Sequence, residues 1–331
     1  MRALRAGLLG LGMMGRHHAR VLRQVEGVEL VAVADAAGDP HGAAIGFEIL
    51  PDVNSIIDAR VDFAVVALPT RFHEEAALNL AAAGVHTLVE KPIAHSIEAG
   101  SRMTRIFADA GLIGAVGHIE RFNPAILELR RRMEMGELGP IYQIATRRQG
   151  PFPSRIADVG VGKDLASHDI DLTAWVAQSE YSAVFGQTVH KSGREHEDMI
   201  AITGRLADGT IVNHLVNWLS PMKERQTVVT GENGALVADT ITGDLTLYAN
   251  GTSLLDWDSV TAFRGVSEGH VLRYSIKKRE PLLVELESFR DAILGKKSNV
   301  VTMEEGLRAL TVVDKAISSA KNGRAETVSL S

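Results

Sequence analysis

The sequence predicts two domains of different class. Residues 1–121 read as an α/β domain whose parallel sheet is covered on both faces. Residues 122–331 read as an α+β domain with a mostly antiparallel sheet. Three observations predict this. The first part alternates short continuous apolar runs with helix-spaced segments, the pattern of strands buried on both faces. A glycine-rich hexapeptide, "GLGMMG", stands between the first apolar run and the first helix. In the second part, strand-like runs follow one another through short turns, as antiparallel strands do. At 331 residues the chain also exceeds one ordinary core, since domains cluster at roughly 100–200 residues.

Taken in order, "RAGLLGL" (5–11) is the first strand. "GRHHARVLRQV" (15–25) has helical spacing at Ala19, Val21, Leu22 and Val25. "VELVAVAD" (28–35) is a β-branched run ending in Asp35, and "DFAVVALP" (62–69) is another, closed by Pro69. "RFHEEAALNLAAAG" (71–84) is a helix with a C-terminal glycine. "HTLVEKP" (86–92) is a strand, "SIEAGSRMTRIFADAG" (96–111) a helix opened by Ser96 and Glu98, and "LIGAVGH" (112–118) a strand. Beyond it, "NPAILELRRRMEMGELG" (123–139) and "KDLASHDIDLTAWVAQ" (163–178) read as helices. Strand runs follow at 181–190, 198–219 (with the turn "ADG") and 225–251. Helical spacing returns at 281–297 and 302–323. No internal repeat or low-complexity linker separates the parts.

The hexapeptide sets Gly10, Gly12 and Gly15 in the G-x-G-x-x-G arrangement. The first glycine permits the tight turn after the strand, the second lets backbone approach a pyrophosphate, and the third lets the helix pack closely on the sheet. Unpaired N–H groups and the helix dipole then favour the phosphates. Asp35 ends the next strand, where a carboxylate accepts hydrogen bonds from ribose hydroxyls. Ala36 and Ala37 follow it, so a 2′-phosphate would be repelled and find no neighbouring cation. NAD is expected rather than NADP. His17 and His18 lie inside the first helix and read as packing or solvent-exposed residues.

Composition narrows the classes. Net charge is −6, hydrophobic content 45% and charged content 23%, ordinary for a globular chain. No basic excess draws it to nucleic acid or a lipid surface. Cysteine is absent, which excludes disulfides, thiolate catalysis and Cys-ligated metal. No metal site is expected. No apolar window approaches the ~20 residues of a membrane span, and the start lacks a signal-peptide cleavage pattern. The expected location is cytoplasmic.

"LVEKPIA" (88–94) places Lys91 between a buried strand and a proline. In isolation such a lysine reads as a solvated turn residue. Together with "GLLGLGMMGRHHARVL", "VALPTRFHEEAAL" and "KDLASHDIDL", however, the chain resembles the glucose–fructose oxidoreductase, inositol dehydrogenase and MocA family along nearly its whole length. The resemblance implies an α/β N-terminal Rossmann domain plus an α+β C-terminal domain with a large open, mostly antiparallel sheet. It implies cofactor contacts from Gly10, Gly12, Met13, Met14, Gly15, Asp35, Leu68, Pro69, Thr70, His73, Glu90, Lys91 and Pro92. In that family the lysine of E-K-P lies at the nicotinamide end and its bond to proline is often cis. A later helix supplies Asp164 and His168, whose spacing of four puts both on one helix face.

The nicotinamide carries hydride chemistry and the protein supplies proton handling. His168 is the expected base, since a histidine titrates near neutral pH. Lys91 would stabilise developing alkoxide and Asp164 would orient the hydroxyl or His168, or hold the charge state of Lys91; in some relatives the lysine is the preferred acid/base. Asp169 and Asp171 lie next door without an assigned role. His118, Glu120, Arg121 and Asn123 follow the last strand of the first domain, where ligands bind in such folds. "TRRQGPFPSRIADVG" (146–160) adds Arg147, Arg148 and Arg155, which suit an anionic substrate group or else sit on an edge strand in solvent. "GHIERFNP" with "RQGPFP" is similar to the branch that oxidises the 3-hydroxyl of UDP-N-acetylglucosamine. Two alternatives stand beside it: a free polyol dehydrogenase of the inositol type, and a catalytically silent NAD-binding regulator. The open sheet, including "VNHLVNWL" (212–219), is expected to make a homodimer or homotetramer.

Overall fold

The computed structural model describes residues 2–153, 159–251 and 267–329. The chain divides into two compact units, one of Met1–Phe122 with Arg279–Thr311, the other of Asn123–Lys278 with Val312–Ser331. The first unit holds a six-stranded parallel sheet: β1 (Leu4–Leu9), β2 (Val28–Ala34), β3 (Ile49–Leu50), β4 (Phe63–Val66), β5 (His86–Glu90) and β6 (Gly114–Gly117). Their spatial order is β3-β2-β1-β4-β5-β6, the doubly wound order whose direction of winding reverses between β1 and β4. Helices α1 (Met13–Leu22), α2 (Val53–Asp58), α3 (His73–Ala82) and α4 (Ile97–Asp109) lie between the strands in sequence. Two of them start on side-chain caps. Asp52 accepts from the Ser55 N–H and Ser96 from the Ala99 N–H, satisfying donors that a helix start leaves orphaned.

Each face of this sheet has its own core. Leu8, Val33, Phe63, Val65 and Leu88 pack with Ala19, Val21 and Leu22 of α1. Leu9, Ala34, Val66 and Val89 pack with Ala77, Leu80 and Met103. Residues of one strand split between the two cores because strand side chains alternate faces. The segment 279–311, expected with the second domain, belongs to this unit. Its helix α7 (Pro281–Ile293) buries Leu282, Leu286 and Phe289 in the α1-side core. Phe289 meets Phe63 edge to face with centroids 5.5 Å apart. Sequence order assigns such a helix to its neighbours in the chain; apolar complementarity assigns it elsewhere.

The second unit holds a nine-stranded sheet in the order β14-β13-β12-β11-β7-β10-β9-β8-β15. The strands are β7 (Ile141–Pro151), β8 (Tyr181–Val189), β9 (Met199–Leu206), β10 (Ile211–Asn217), β11 (Leu219–Gly231), β12 (Gly234–Asp239), β13 (Asp244–Gly251), β14 (Ser267–Arg273) and β15 (Glu326–Thr327). All neighbours are antiparallel except β7 and β10. The arginines of 146–148 therefore sit on an interior strand, not on an edge or in a loop. Helices α5 (Pro124–Glu134) and α6 (Ser167–Ala177) belong to this unit, and the division between units falls inside α8 (Met303–Asn322).

Candidate active site

In a parallel sheet all carboxyl ends lie along one edge. That edge of the first unit gathers the residues following β1, β2, β4, β5 and β6: the glycine loop, Asp35, Leu68, Lys91 and His118. Gly10 has φ +94°, and a Cβ there would fall 2.5 Å from the Ala67 carbonyl oxygen. A Cβ on Gly15 would fall 1.9 Å from the Gly10 carbonyl oxygen. Both positions are closed to any side chain. Gly12 differs: its Cβ position meets nothing within 4 Å. It is the N-cap of α1, makes no side-chain cap, and no acidic residue occupies the helix's first turn. The helix start thus presents backbone donors to an open cradle bare of side chains, which suits a pyrophosphate.

The Asp35 carboxylate accepts from the Leu11 N–H at 2.6 Å and the Ala37 N–H at 2.7 Å. These bonds hold it at the mouth of the glycine loop. Each oxygen keeps a second lone pair for a ribose hydroxyl, so the loop and Asp35 together fit a dinucleotide. His73 is buried. Its Nε2 lies 2.8 Å from the Leu68 carbonyl oxygen and its Nδ1 3.0 Å from that of Pro92. Burial lowers its pKa, although both carbonyls and the Glu90 charge pull the other way. As a neutral ring it donates to one carbonyl at a time, and it ties the turn after β4 to the turn after β5. The Lys91–Pro92 bond in that second turn is cis. Met13, Met14 and Thr70 are half-buried and Pro69 exposed, flanking the same edge.

His18, read from sequence as a packing or solvent residue, is fully buried, and its Nε2 lies 2.8 Å from Glu90 Oε1. Burial pushes the Glu90 carboxyl up. The His18 hydrogen bond, with the charges of His18 and Lys91, outweighs this and holds it below the ordinary value. The signal was present: Glu90 alternates with Leu88, which faces α1.

Beyond β6, His118 is buried with its N–H donating to the Val116 carbonyl, and Glu120 is half-buried in the short turn Ile119–Phe122. The buried Arg121 donates to Glu305 Oε1 at 2.9 Å. Burial raises the Glu305 pKa, but the Arg121 charge and the Thr302 bonds leave it lowered. Arg121 is thus tied to the start of α8 within its own unit.

In the second unit, Asn123 caps α5 through the Ala125 N–H and donates to the Thr240 carbonyl. Both ends of its amide are engaged by the fold. Asp164 lies in a π-helical turn, Gly162–Ala166, that leads into α6, and His168 is the second residue of α6. The expected uniform α-helix is replaced here by i→i+5 turns, a local widening often found at functional positions. Both side chains are buried, Asp164 6% and His168 7% exposed. The turn is held by Glu197, missed from sequence, whose Oε1 accepts the Gly162 N–H at 2.9 Å. Its carboxylate fills the place that a Cβ on Gly160 or Gly162 would take.

Arg148 points to the buried side of β7, and its Nε donates to Asp169 Oδ1 at 2.9 Å. The pair is almost wholly buried, with side-chain exposures of 4% and 2%. Its positive charge is matched inside the fold, next to His168 in sequence. Arg147 alternates to the other face, 55% exposed, 3.5 Å from Glu224. Arg155 lies outside the described residues. Behind α6, His214 joins Thr146 and Tyr181 at 2.7 Å each, and burial pushes its pKa down to about 3. It is a neutral hydrogen-bonding bridge.

With this geometry in hand, comparisons with known proteins give a consistent answer. Residues 4–118 match the profile described as "Oxidoreductase family, NAD-binding Rossmann fold", and 126–237 match the GFO/IDH/MocA C-terminal domain. A UDP-N-acetylglucosamine 3-dehydrogenase of Acidithiobacillus ferrooxidans is 29% identical over 294 residues, 88% of each chain. The scyllo-inositol 2-dehydrogenase (NAD(+)) of Bacillus subtilis is 30% identical over 193 residues, 55% of this chain and 56% of its own. The solved WlbA dehydrogenase of Bordetella pertussis, in complex with NADH and UDP-GlcNAcA, shares the fold at TM-score 0.83 and 22% identity, covering 100% of this chain and 99% of that one.

Proposed function

The chain belongs to the glucose–fructose oxidoreductase, inositol dehydrogenase and MocA family of NAD-dependent oxidoreductases, and from that premise we propose that it oxidises a secondary alcohol of a sugar, the 3-hydroxyl of a UDP-N-acetylhexosamine. The observation that carries the reading is the position of Lys91. It follows β5 on the same strand edge as the glycine loop and Asp35. Bound NAD would accept the hydride from carbon. The Gly10–Gly15 loop and the α1 start would hold its phosphates and Asp35 its ribose, while His73 fixes the turn carrying Pro92. Lys91 supplies the positive charge that steadies a developing alkoxide. His168 takes the hydroxyl proton, and Asp164 orients that hydroxyl or the imidazole. Lys91 as the proton acceptor is the alternative assignment.

Two things support a nucleotide sugar. The UDP-N-acetylglucosamine relative is 29% identical along 88% of each chain, against 26% for an inositol 2-dehydrogenase of Saccharopolyspora erythraea that aligns along 99% of this chain. The "RQGPFPSR" stretch also carries Arg155. Arg148 pairs with Asp169 through its Nε. The test is NADH formation with UDP-N-acetylglucosamine, UDP-glucose, myo-inositol and glucose. Turnover of a UDP-sugar with a KM raised by Arg155→Ala is expected. Turnover of inositol alone would favour the polyol type, and no turnover with NADH binding intact would favour a silent regulator.

We also propose self-association through the open sheet, whose surface exposes Tyr142, Ile211, Tyr248 and Val271. Light scattering at micromolar concentration should give a dimer or tetramer mass; a monomer mass would refute it.

A further inference from the structure

The mechanism above leaves one buried pair of the first unit without a task. His18 is 0% and Glu90 7% exposed. A carboxylate is not buried without cost unless it is paired, and this one lies one residue before Lys91. Its surroundings are shaped for it. Leu88 packs on the α1 side and Val89 on the α3–α4 side, so alternation turns Glu90 toward α1. Across the sheet, Glu90 stands in register with Gly117, where a Cβ would lie 3.2 Å from the carboxylate. Glycine there leaves room for the acid. One oxygen faces His18, and the other accepts the Lys91 backbone N–H at 3.2 Å. The charged or titratable groups acting on Glu90 include His18 of α1, Lys91 next in the chain, and His73 of α3. Strand β6 sets Gly117 opposite it. The other ring nitrogen of His18, Nδ1, has no hydrogen-bond partner among the described residues, so its one polar contact there is Glu90.

We propose that His18 is a positioning residue for Lys91. By donating to Glu90 it keeps that carboxylate turned toward α1, and the carboxylate in turn holds the Lys91 backbone in place. The helix whose first turn would receive the cofactor phosphates thereby also sets the lysine placed at the nicotinamide end. The inference rests on the reading of Lys91 as a reacting group, but its test needs no sugar.

The experiment is competitive acetylation of the full chain with acetic anhydride, reading Lys91 by mass spectrometry against the other lysines as internal references. His18→Leu and Glu90→Gln should each change the Lys91 rate about threefold or more, because the contact that holds the lysine's backbone is loosened. His18→Gln, whose amide N–H replaces Nε2–H, should return the rate to within about twofold of the parent. An unchanged Lys91 rate in Glu90→Gln would overturn the proposal. So would a His18→Gln rate no closer to the parent than that of His18→Leu. Should His18→Leu fail to fold, the near-isosteric Glu90→Gln decides by the same rate. A failed sugar screen would count against the proposed substrate and leave this result standing.

Discussion

Asp35 does two jobs with one carboxylate. It pins the glycine loop through the Leu11 N–H, and it sits where a ribose would end. A 2′-phosphate brought there meets a negative charge held in place by two backbone donors. Asp35→Ser keeps a short acceptor and removes the charge. The ratio of kcat/KM for NADP to that for NAD should rise about tenfold or more, the worth of one hydrogen bond to a charged group. An unchanged ratio would show that discrimination lies elsewhere. Residues of this kind were readable from sequence because their signals are local: the glycine spacing, an acid closing a strand, E-K-P after an apolar run. The pairs that organise the site were not. His18 meets Glu90 across 72 residues, Glu197 meets Gly162 across 35, and Arg148 meets Asp169 across 21. Each is a common residue type whose meaning comes only from its partner.

At the level of elements, β7 shows what alternation decides. Arg147 and Arg148 are neighbours, yet one faces outward and the other pairs with Asp169 under α6. Reading both as one basic cluster missed this, because the extent of the strand past Thr146 was hidden by "GPFP". The strand also carries Thr146 to His214, and Tyr181 of β8 completes that bridge. The sign of its pH effect follows from burial. Unfolded, the imidazole protonates near 6.5; folded, near 3. The stability owed to the neutral ring is full above the first value and is lost as pH falls toward the second. Urea midpoints should therefore drop between about pH 7 and 5 in the parent, and His214→Gln should show a shallower drop over that window. Parallel slopes would mean that the carboxylates alone set the acid response. The π-turn at Gly162–Ala166 was likewise invisible to helical spacing, since it depends on Glu197 filling the room left by two glycines.

Across the whole molecule, order in the chain and membership of a unit part company. The alternating runs made the parallel sheet legible, and the close-set strands made the second sheet legible. The amphipathic stretch at 281–297 announced a helix but not its host; Leu282, Leu286 and Phe289 complete the core beside α1, far from them in sequence. What unites the account is a first unit that assembles a dinucleotide cradle and Lys91 along one strand edge. The most direct test is Lys91→Ala, measured two ways on the intact protein: NADH titration by fluorescence, and turnover with the sugar that the substrate screen identifies. The account predicts that NADH still binds and that kcat is lower by about a hundredfold or more, the scale of a lost acid–base or charge-stabilising group. Turnover at the parent rate with NADH binding intact would contradict it.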